Sequence, residues 1–345
     1  MIKLSLLTAA VPAPVLHDHP CDFHRGEAVK ITTPLTPLSG DSVSVISTNN
    51  RQRFKQWKAA EHEESFYALR SVAACWQQRG YAQDYLILGK TSPGLKSERF
   101  SWEAVPYPAG GWSDLKQISV MWKVAFGVDP ISEEERIHLA DQNRTRFQKP
   151  IPHLTEAHPA ETASDPFCDP EVLAKQTIYR GKKVSLLYDH SPMRLGGEMP
   201  HFLVITNAHK THFEELSPDE YIEAMQVANA VASYFQEAQP KSTLYFLHKK
   251  GRPAGQTVPH WHMHIIVKED DASIASFQFP CLKSPTSCTS LSSPFLLIRN
   301  KLRQCGQSCL SFASLLWPNE RLSDEELAER VAFYKKELDT LPPIH

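Results

Sequence analysis

The chain has 345 residues, 41% of them hydrophobic and 22% charged, with Lys+Arg 37 against Asp+Glu 39 and a formal net charge of −2. That length allows two modest domains with real cores, and the charge balance advertises no nucleic-acid backbone as partner, although it leaves a local basic groove open. No run approaches the ~20 apolar residues of a membrane span. The apolar block near the start is short and broken by Ser5 and Thr8, a poor export signal. Seven cysteines, an odd number without paired spacing, point to a reduced, cytoplasmic compartment.

Residues 1–42 read as an irregular arm, with prolines at 12, 14, 20, 34 and 37 and no sustained period. His17, His19, Cys21 and His24 in that arm have metal-ligand chemistry but are expected to be solvated. Residues 43–148 carry Val45-Ile46, a helical stretch through Phe66, Leu69, Ala73 and Trp76, a strand Tyr85–Leu88, and a capping-box helix start at Ile131-Ser-Glu-Glu-Glu135. Residues 149–172 form a proline-rich linker.

The stretch 173–270 parses into strands at Thr177–Lys182, Val184–Tyr188, His201–Thr206, Thr243–Leu247 and Pro259–Val267. Between the third and fourth, Ser217-Pro-Asp-Glu220 opens a helix. Its apolar face runs through Tyr221, Ala224, Met225, Ala228, Val231 and Phe235. This is an α+β domain on an antiparallel sheet with one long helix. Residues 271–317 form a serine- and cysteine-rich insertion whose Cys281, Cys288, Cys305 and Cys309 lack a zinc spacing. A C-terminal helix in 318–345 starts at Leu322-Ser-Asp-Glu-Glu326.

The first half repeats the second in a worn form. Val45 and Val204, Phe54 and Phe213, and Trp102 and Trp261 share one offset (204 − 45, 213 − 54 and 261 − 102 each give 159). The two late capping boxes are offset by 322 − 131 = 191, so the second half carries an insertion of 191 − 159 = 32 residues. The expectation is two copies of one fold in a single chain.

The chemistry concentrates in Gly255-Gln-Thr-Val-Pro-His260-Trp-His262-Met-His264-Ile-Ile266. On a strand, His260, His262 and His264 share one face, with Trp261 and Met263 on the other. Adjacent imidazoles at that spacing can address one phosphate-sized group, and neutral imidazole is a usable nucleophile at cellular pH. The glycines and hydroxyl residue upstream let backbone amides approach an anion. Taken alone, the same histidines also suit a solvated face or a metal, which would need further ligands.

With these neighbours, the segment resembles the histidine-triad (HIT) family, marked by alternating histidines after a Gly-Gln-Ser/Thr-Val loop. His201–Lys210 is similar to the family's strand ending in a fourth histidine, here His209. Tyr188-Asp-His-Ser-Pro192 is similar to its Asp-x-Ser/Asn-Pro turn.

The resemblance implies that His262 attacks the α-phosphorus and forms a nucleotidyl-histidine. His264 and the amides around Gly255 and Thr257 would hold the non-bridging oxygens, with His260 and His209 completing the histidine cluster. Gln256 would help position the phosphate, and Asp189 would take the ribose hydroxyls. No metal or cofactor is required, though Mg2+ would accompany a polyphosphate.

Lys249-Lys250 departs from the family pattern, where an amide side chain is frequent. Lys249 would add nucleotide-binding charge, favouring a longer polyphosphate or another anionic leaving group. At offset 159, His260, His262, His264 and His209 fall on Ser101, Glu103, Val105 and Asn50, so the first half is an inactive copy.

That duplicated layout resembles the branch containing galactose-1-phosphate uridylyltransferase. The expected function is hydrolysis of a dinucleoside polyphosphate or nucleoside phosphoramidate. The alternatives are nucleotidyl transfer or phosphorolysis through the same intermediate, nucleotide binding without turnover, and a metal-dependent enzyme using the His-x-His pair. The two halves are expected to meet as an intramolecular pseudo-dimer in a monomeric protein, with neither membrane nor nucleic acid as partner.

Overall fold

The computed structural model describes residues 19–49, 51, 53–91, 99–108, 113–147, 165–192, 199–269 and 321–338. The insertion expected at 271–317, most of the linker and the first 18 residues of the arm lie outside the described residues.

Short β-branched and aromatic runs supply the strands of the first half: β1 (Asp22–Arg25), β2 (Val29–Thr32), β3 (Val43–Ser47), β4 (Asp84–Thr91) and β5 (Ser101–Tyr107). The helix α1 (Ala59–Gln78) lies between β3 and β4, and α2 (Ser113–Phe126) and α3 (Glu133–Phe147) follow β5. The second half opens with α4 (Pro170–Gln176) and continues through β6 (Thr177–Arg180), β7 (Val184–Tyr188) and β8 (His201–Thr206). Then come α5 (Pro218–Ala238), β9 (Ser242–Lys250), β10 (His262–Glu269) and α6 (Asp324–Leu338).

All ten strands join one antiparallel sheet, in the order β1-β2-β3-β5-β4-β9-β10-β8-β7-β6. Read from either edge, the order within each half is the same, so the layout is duplicated. The halves meet where β4 pairs with β9, and there Leu88 lies opposite Leu247. These two positions are themselves 159 apart (247 − 88), so equivalent residues face each other across the seam. The 3-10 turns Phe54–Gln56 and Phe213–Glu215 keep the same offset. The two 15-residue helices α3 and α6 keep the offset of 191 (324 − 133).

The register corrects one equivalence. Val45 pairs with Trp102, and its counterpart Val204 pairs with Met263. Trp102 therefore corresponds to Met263 and not to Trp261, and the connection before β10 is two residues longer than the one before β5. Ser101 and Glu103 then stand where His262 and His264 stand in the second half. A slip of two leaves the alternation of faces unchanged, so the tryptophan match concealed it. The first half still lacks the histidines. In place of the pair His201–His264 it has Ser42, whose hydroxyl donates to the Glu103 carboxylate at 2.6 Å. Leu38 is buried and donates its amide to the same carboxylate at 2.8 Å, filling that end of the first half.

Two further expectations change. Residues 22–32, read as irregular, form β1 and β2, which prolines at 20 and 34 bracket instead of interrupting. The triad strand, expected from Pro259, begins at His262, so His260 precedes it.

One face of the sheet carries α1 and α5, which pack together through Phe66 stacked on Tyr221 with ring centroids 5.0 Å apart. Trp102, Trp261, Met263, Phe202 and Val204 fill the layer beneath. Each such fully buried large side chain contributes roughly 1.5–3 kcal/mol. Ser217 caps α5 by accepting from the Glu220 amide at 3.2 Å, with Glu220 returning the capping box. Among the described residues, the opposite face is only partly covered. Val120 and Met121 of α2 pack on Leu86, Leu88 and Leu247, while Phe167 covers Leu187, Leu203 and Ile205. His262 and His264 lie on that second face, between these two covers.

Candidate active site

The connection from β9 to β10 is shaped by its glycines and by Gln256. Gly255 has φ +86°, a left-handed conformation that strains other residues. The Gln256 side chain accepts from the Gly251 amide at 2.8 Å and donates to the carbonyls of Val258 at 3.1 Å and Thr211 at 3.2 Å. Its amide is thus spent on the loop backbone, so Gln256, expected to help position a phosphate, braces the loop instead of facing outward. Thr257 is exposed on the loop surface. The Trp261 amide donates to the Lys210 carbonyl, tying the start of β10 to the chain after β8.

His262 is 5% exposed. Its Nδ1–H donates to the His260 carbonyl at 2.7 Å, which leaves the lone pair on Nε2. Burial pushes its pKa down to about 4, with the nearby Lys249 charge acting in the same direction. The ring is therefore neutral at cellular pH, by a wider margin than an unperturbed histidine would be.

The His264 ring lies edge-on to it with centroids 4.9 Å apart. His264 Nδ1 is 3.0 Å from His201 Nε2, and His201 Nδ1 is 3.1 Å from an Asp189 carboxylate oxygen. The carboxylate holds a proton on His201 Nδ1, so three residues form a relay ending at His264. Burial lowers the pKa of both His201 and His264. Asp189 also accepts from the Ser191 amide at 2.9 Å. Expected to meet a ribose, Asp189 already holds a histidine.

His260 and His209 gather elsewhere. Both Nδ1 atoms approach the same oxygen of Asp165, at 2.6 Å and 2.7 Å. His260 is fully buried, and its Nε2 donates to the Thr206 carbonyl at 2.9 Å. The thiol of Cys168 lies 3.1 Å from Asp165 and 3.8 Å and 3.9 Å from the two Nδ1 atoms. Asp165, Cys168, His209 and His260 each offer a donor atom, all within 4.8 Å of one another.

Two imidazoles, a thiol and a carboxylate are the donor types that hold Zn2+. With Nε2–H donated to the Thr206 carbonyl, Nδ1 of His260 faces the Asp165 carboxylate at 2.6 Å. That arrangement calls for a second proton or for a cation between them. A Zn2+ there would fix the ring of His260 and, through its carbonyl, the tautomer of His262.

Sequence reasoning assigned residues 165–168 to a linker. Instead, the 3-10 turn Pro166–Cys168 places Phe167 edge-on to His260 and His262, with centroids 5.7 Å and 5.4 Å away. The available signal was the spacing Asp165-x-x-Cys168, two ligand-type residues around a tight turn. His201 was placed on its strand but given no role. A second donor group, His19, Cys21 and Glu133, joins two residues of the arm to α3.

Residues 171–271 match the family model described as the HIT domain, so the chain carries a HIT domain in its second half. No curated protein matches the chain at a significant level. Among solved structures, a uridylyltransferase is similar over 96% of this chain and 93% of its own, at 10% identity and a TM-score of 0.49. An ADP-glucose phosphorylase from Arabidopsis thaliana with bound ADP-glucose is similar over 70% of this chain and 72% of its own, at 10% identity and 0.43. A hypothetical histidine triad nucleotide-binding protein from Sulfolobus tokodaii strain7 aligns with 50% of this chain and 91% of its own, at 20% identity and 0.32. None of these likenesses is close enough to carry an activity across. Among the described residues, no helix is long and apolar enough to cross a membrane.

Proposed function

With a HIT domain at residues 171–271 as the premise, we propose that this protein hydrolyses nucleotide phosphoanhydrides or phosphoramidates through a nucleotidyl-His262 intermediate. The observation that carries this reading is the Nδ1–H donation from His262 to the His260 carbonyl, which presents a neutral ring with its lone pair on Nε2. That nitrogen forms the N–P bond to the α-phosphorus while the bond from phosphorus to the leaving group breaks, and the leaving group departs with the electron pair. A water oxygen then attacks the phosphorus. The N–P bond breaks with its electron pair returning to Nε2, one proton of the attacking water passes to solvent, and the nucleoside monophosphate leaves with His262 in its starting state.

The Gly255 and Gln256 amides, expected at the phosphate, instead donate to the carbonyls of Arg252 at 2.8 Å and Gly251 at 3.1 Å, so in this reading the Thr257 amide binds a non-bridging oxygen in both steps. One proton taken up by the His201–His264 pair makes His264 Nε2 a donor to the non-bridging oxygens, and the Asp189 carboxylate balances that charge. No metal takes part at phosphorus, and Mg2+ accompanies only a polyphosphate substrate. Transfer to phosphate or a sugar phosphate would use the same intermediate with a different acceptor.

The test is a panel of nucleotides with and without phosphate or sugar phosphates, run on wild type and His262→Ala. Turnover should fall by orders of magnitude in the variant while nucleotide binding stays largely intact. A rate within a few-fold of wild type would refute the covalent mechanism.

A further inference from the structure

Lys249 follows His248 on β9, and His248 lies opposite Met263 of β10. One step further along that register, Lys249 stands opposite His262, on the face that carries the triad. Cross-strand neighbours bring their Cβ atoms to within roughly 5 Å.

Its side chain is 8% exposed. A Cβ built on Gly255 would lie 3.7 Å from the Lys249 Nζ, so the ammonium sits against the loop that precedes the triad. Lys250, its neighbour in sequence, turns to the other face and pairs with Glu214 at 2.8 Å. Lys249 has no ion pair or hydrogen bond to a side chain among the described residues. The one acid that acts on it, Asp189, is engaged by His201 and the Ser191 amide. Burial pushes its pKa down to about 8, so it remains largely cationic at neutral pH.

Of the groups on that face, the His201–His264 pair takes up one proton in the proposed mechanism, and the Asp189 carboxylate that contacts His201 at 3.1 Å balances it. A buried ammonium with no direct ion pair, its nearby carboxylate Asp189 held by His201 and the Ser191 amide, is costly and is relieved by a bound anion. The His201–His264 pair and the neutral donors answer the single charge of an α-phosphoryl group. A second charge beside it requires a cation.

We infer that Lys249 pairs with a second phosphate of the substrate, so that the site selects pyrophosphate-linked nucleotides over nucleoside phosphoramidates. This rests on the nucleotide reading of the same site and narrows its substrate class. Lys249 is a specificity-determining residue that leaves the bond-making atoms to His262.

Binding measured by calorimetry separates this inference from the reaction mechanism. The probes are the common nucleoside monophosphates and diphosphates, titrated into full-length wild type, Lys249→Gln and Lys249→Met. Wild type should bind the diphosphate about 10- to 100-fold more tightly than the monophosphate of the same base, as a desolvated charge pair provides. Both variants should lose that gap while keeping monophosphate affinity within a few-fold. Both should also melt at or above the wild-type temperature, since they remove an unpaired buried charge.

A gap that survives in the variants, an equal loss for both nucleotides, or a lowered melting temperature in both variants would overturn the assignment. Failure to trap a nucleotidyl-histidine would refute the proposed mechanism while leaving the binding gap intact, so the two failures are distinguishable.

Discussion

Asp189→Asn tests whether Asp189 serves the relay or the ribose, because it keeps the shape of the side chain and removes its charge. The carboxylate lies 3.1 Å from His201 Nδ1, with 12% of the Asp189 side chain and 1% of the His201 side chain exposed. A hydrogen bond from a buried imidazole to a charged carboxylate contributes roughly 1.5–3 kcal/mol. In the proposed mechanism most of that is drawn on when the His201–His264 pair takes up its proton. At about 1.36 kcal/mol per tenfold in rate, kcat should fall roughly 10- to 150-fold.

The assay is single-turnover cleavage of one nucleotide substrate and of its 2′,3′-dideoxy counterpart, by wild type and variant, with melting curves to verify folding. A carboxylate acting through His201 penalises both substrates equally and lowers kcat with little change in KM. A carboxylate that binds the sugar hydroxyls penalises only the ribonucleotide, chiefly in KM. A loss that vanishes on the dideoxy substrate would refute the relay argument.

The donor cluster predicts that Zn2+ added to chelator-treated protein raises its melting temperature and that His209→Ala abolishes the rise, whereas an unmoved wild type would refute the site. Cleavage of a phosphoramidate should continue in EDTA, because no metal contacts phosphorus in the proposed mechanism; a loss restored by zinc would count against that. Sedimentation should report a monomer, since the seam between β4 and β9 already joins the two halves, and a concentration-dependent dimer would contradict this. Calorimetry should find one nucleotide per chain, because Ser101 and Glu103 replace the histidines and the Glu103 carboxylate is taken by Ser42 and the Leu38 amide, and two would contradict it.

Much of the architecture was legible because it is written in local chemistry. The Ser217 capping box, the helical spacing from Tyr221 to Phe235 and the alternation around Trp261 each act over a few residues, and each marks its element directly. The duplication was legible for the same reason, as matched elements kept a constant spacing. What local pattern leaves open is any shift that preserves it. A strand moved by two residues keeps every side chain on its face, so only the pairing of Val45 with Trp102 and of Val204 with Met263 could correct the equivalence of the tryptophans.

The sequence by itself determined that three histidines stand at alternate positions behind a glycine loop, since that depends only on covalent order and strand geometry. Tertiary structure decided how they divide. His262 and His264 turn to a relay through His201 and Asp189, while His260 joins His209 around Asp165 and Cys168. Asp165 and His260 are 95 residues apart, and no periodicity spans that distance. Their meeting depends on where a 3-10 turn packs against a sheet assembled from both halves of the chain. The charge state of the site was hidden for a related reason. A lysine in a doublet reads as solvated until the fold buries it opposite His262 and leaves it without a direct ion pair among the described residues.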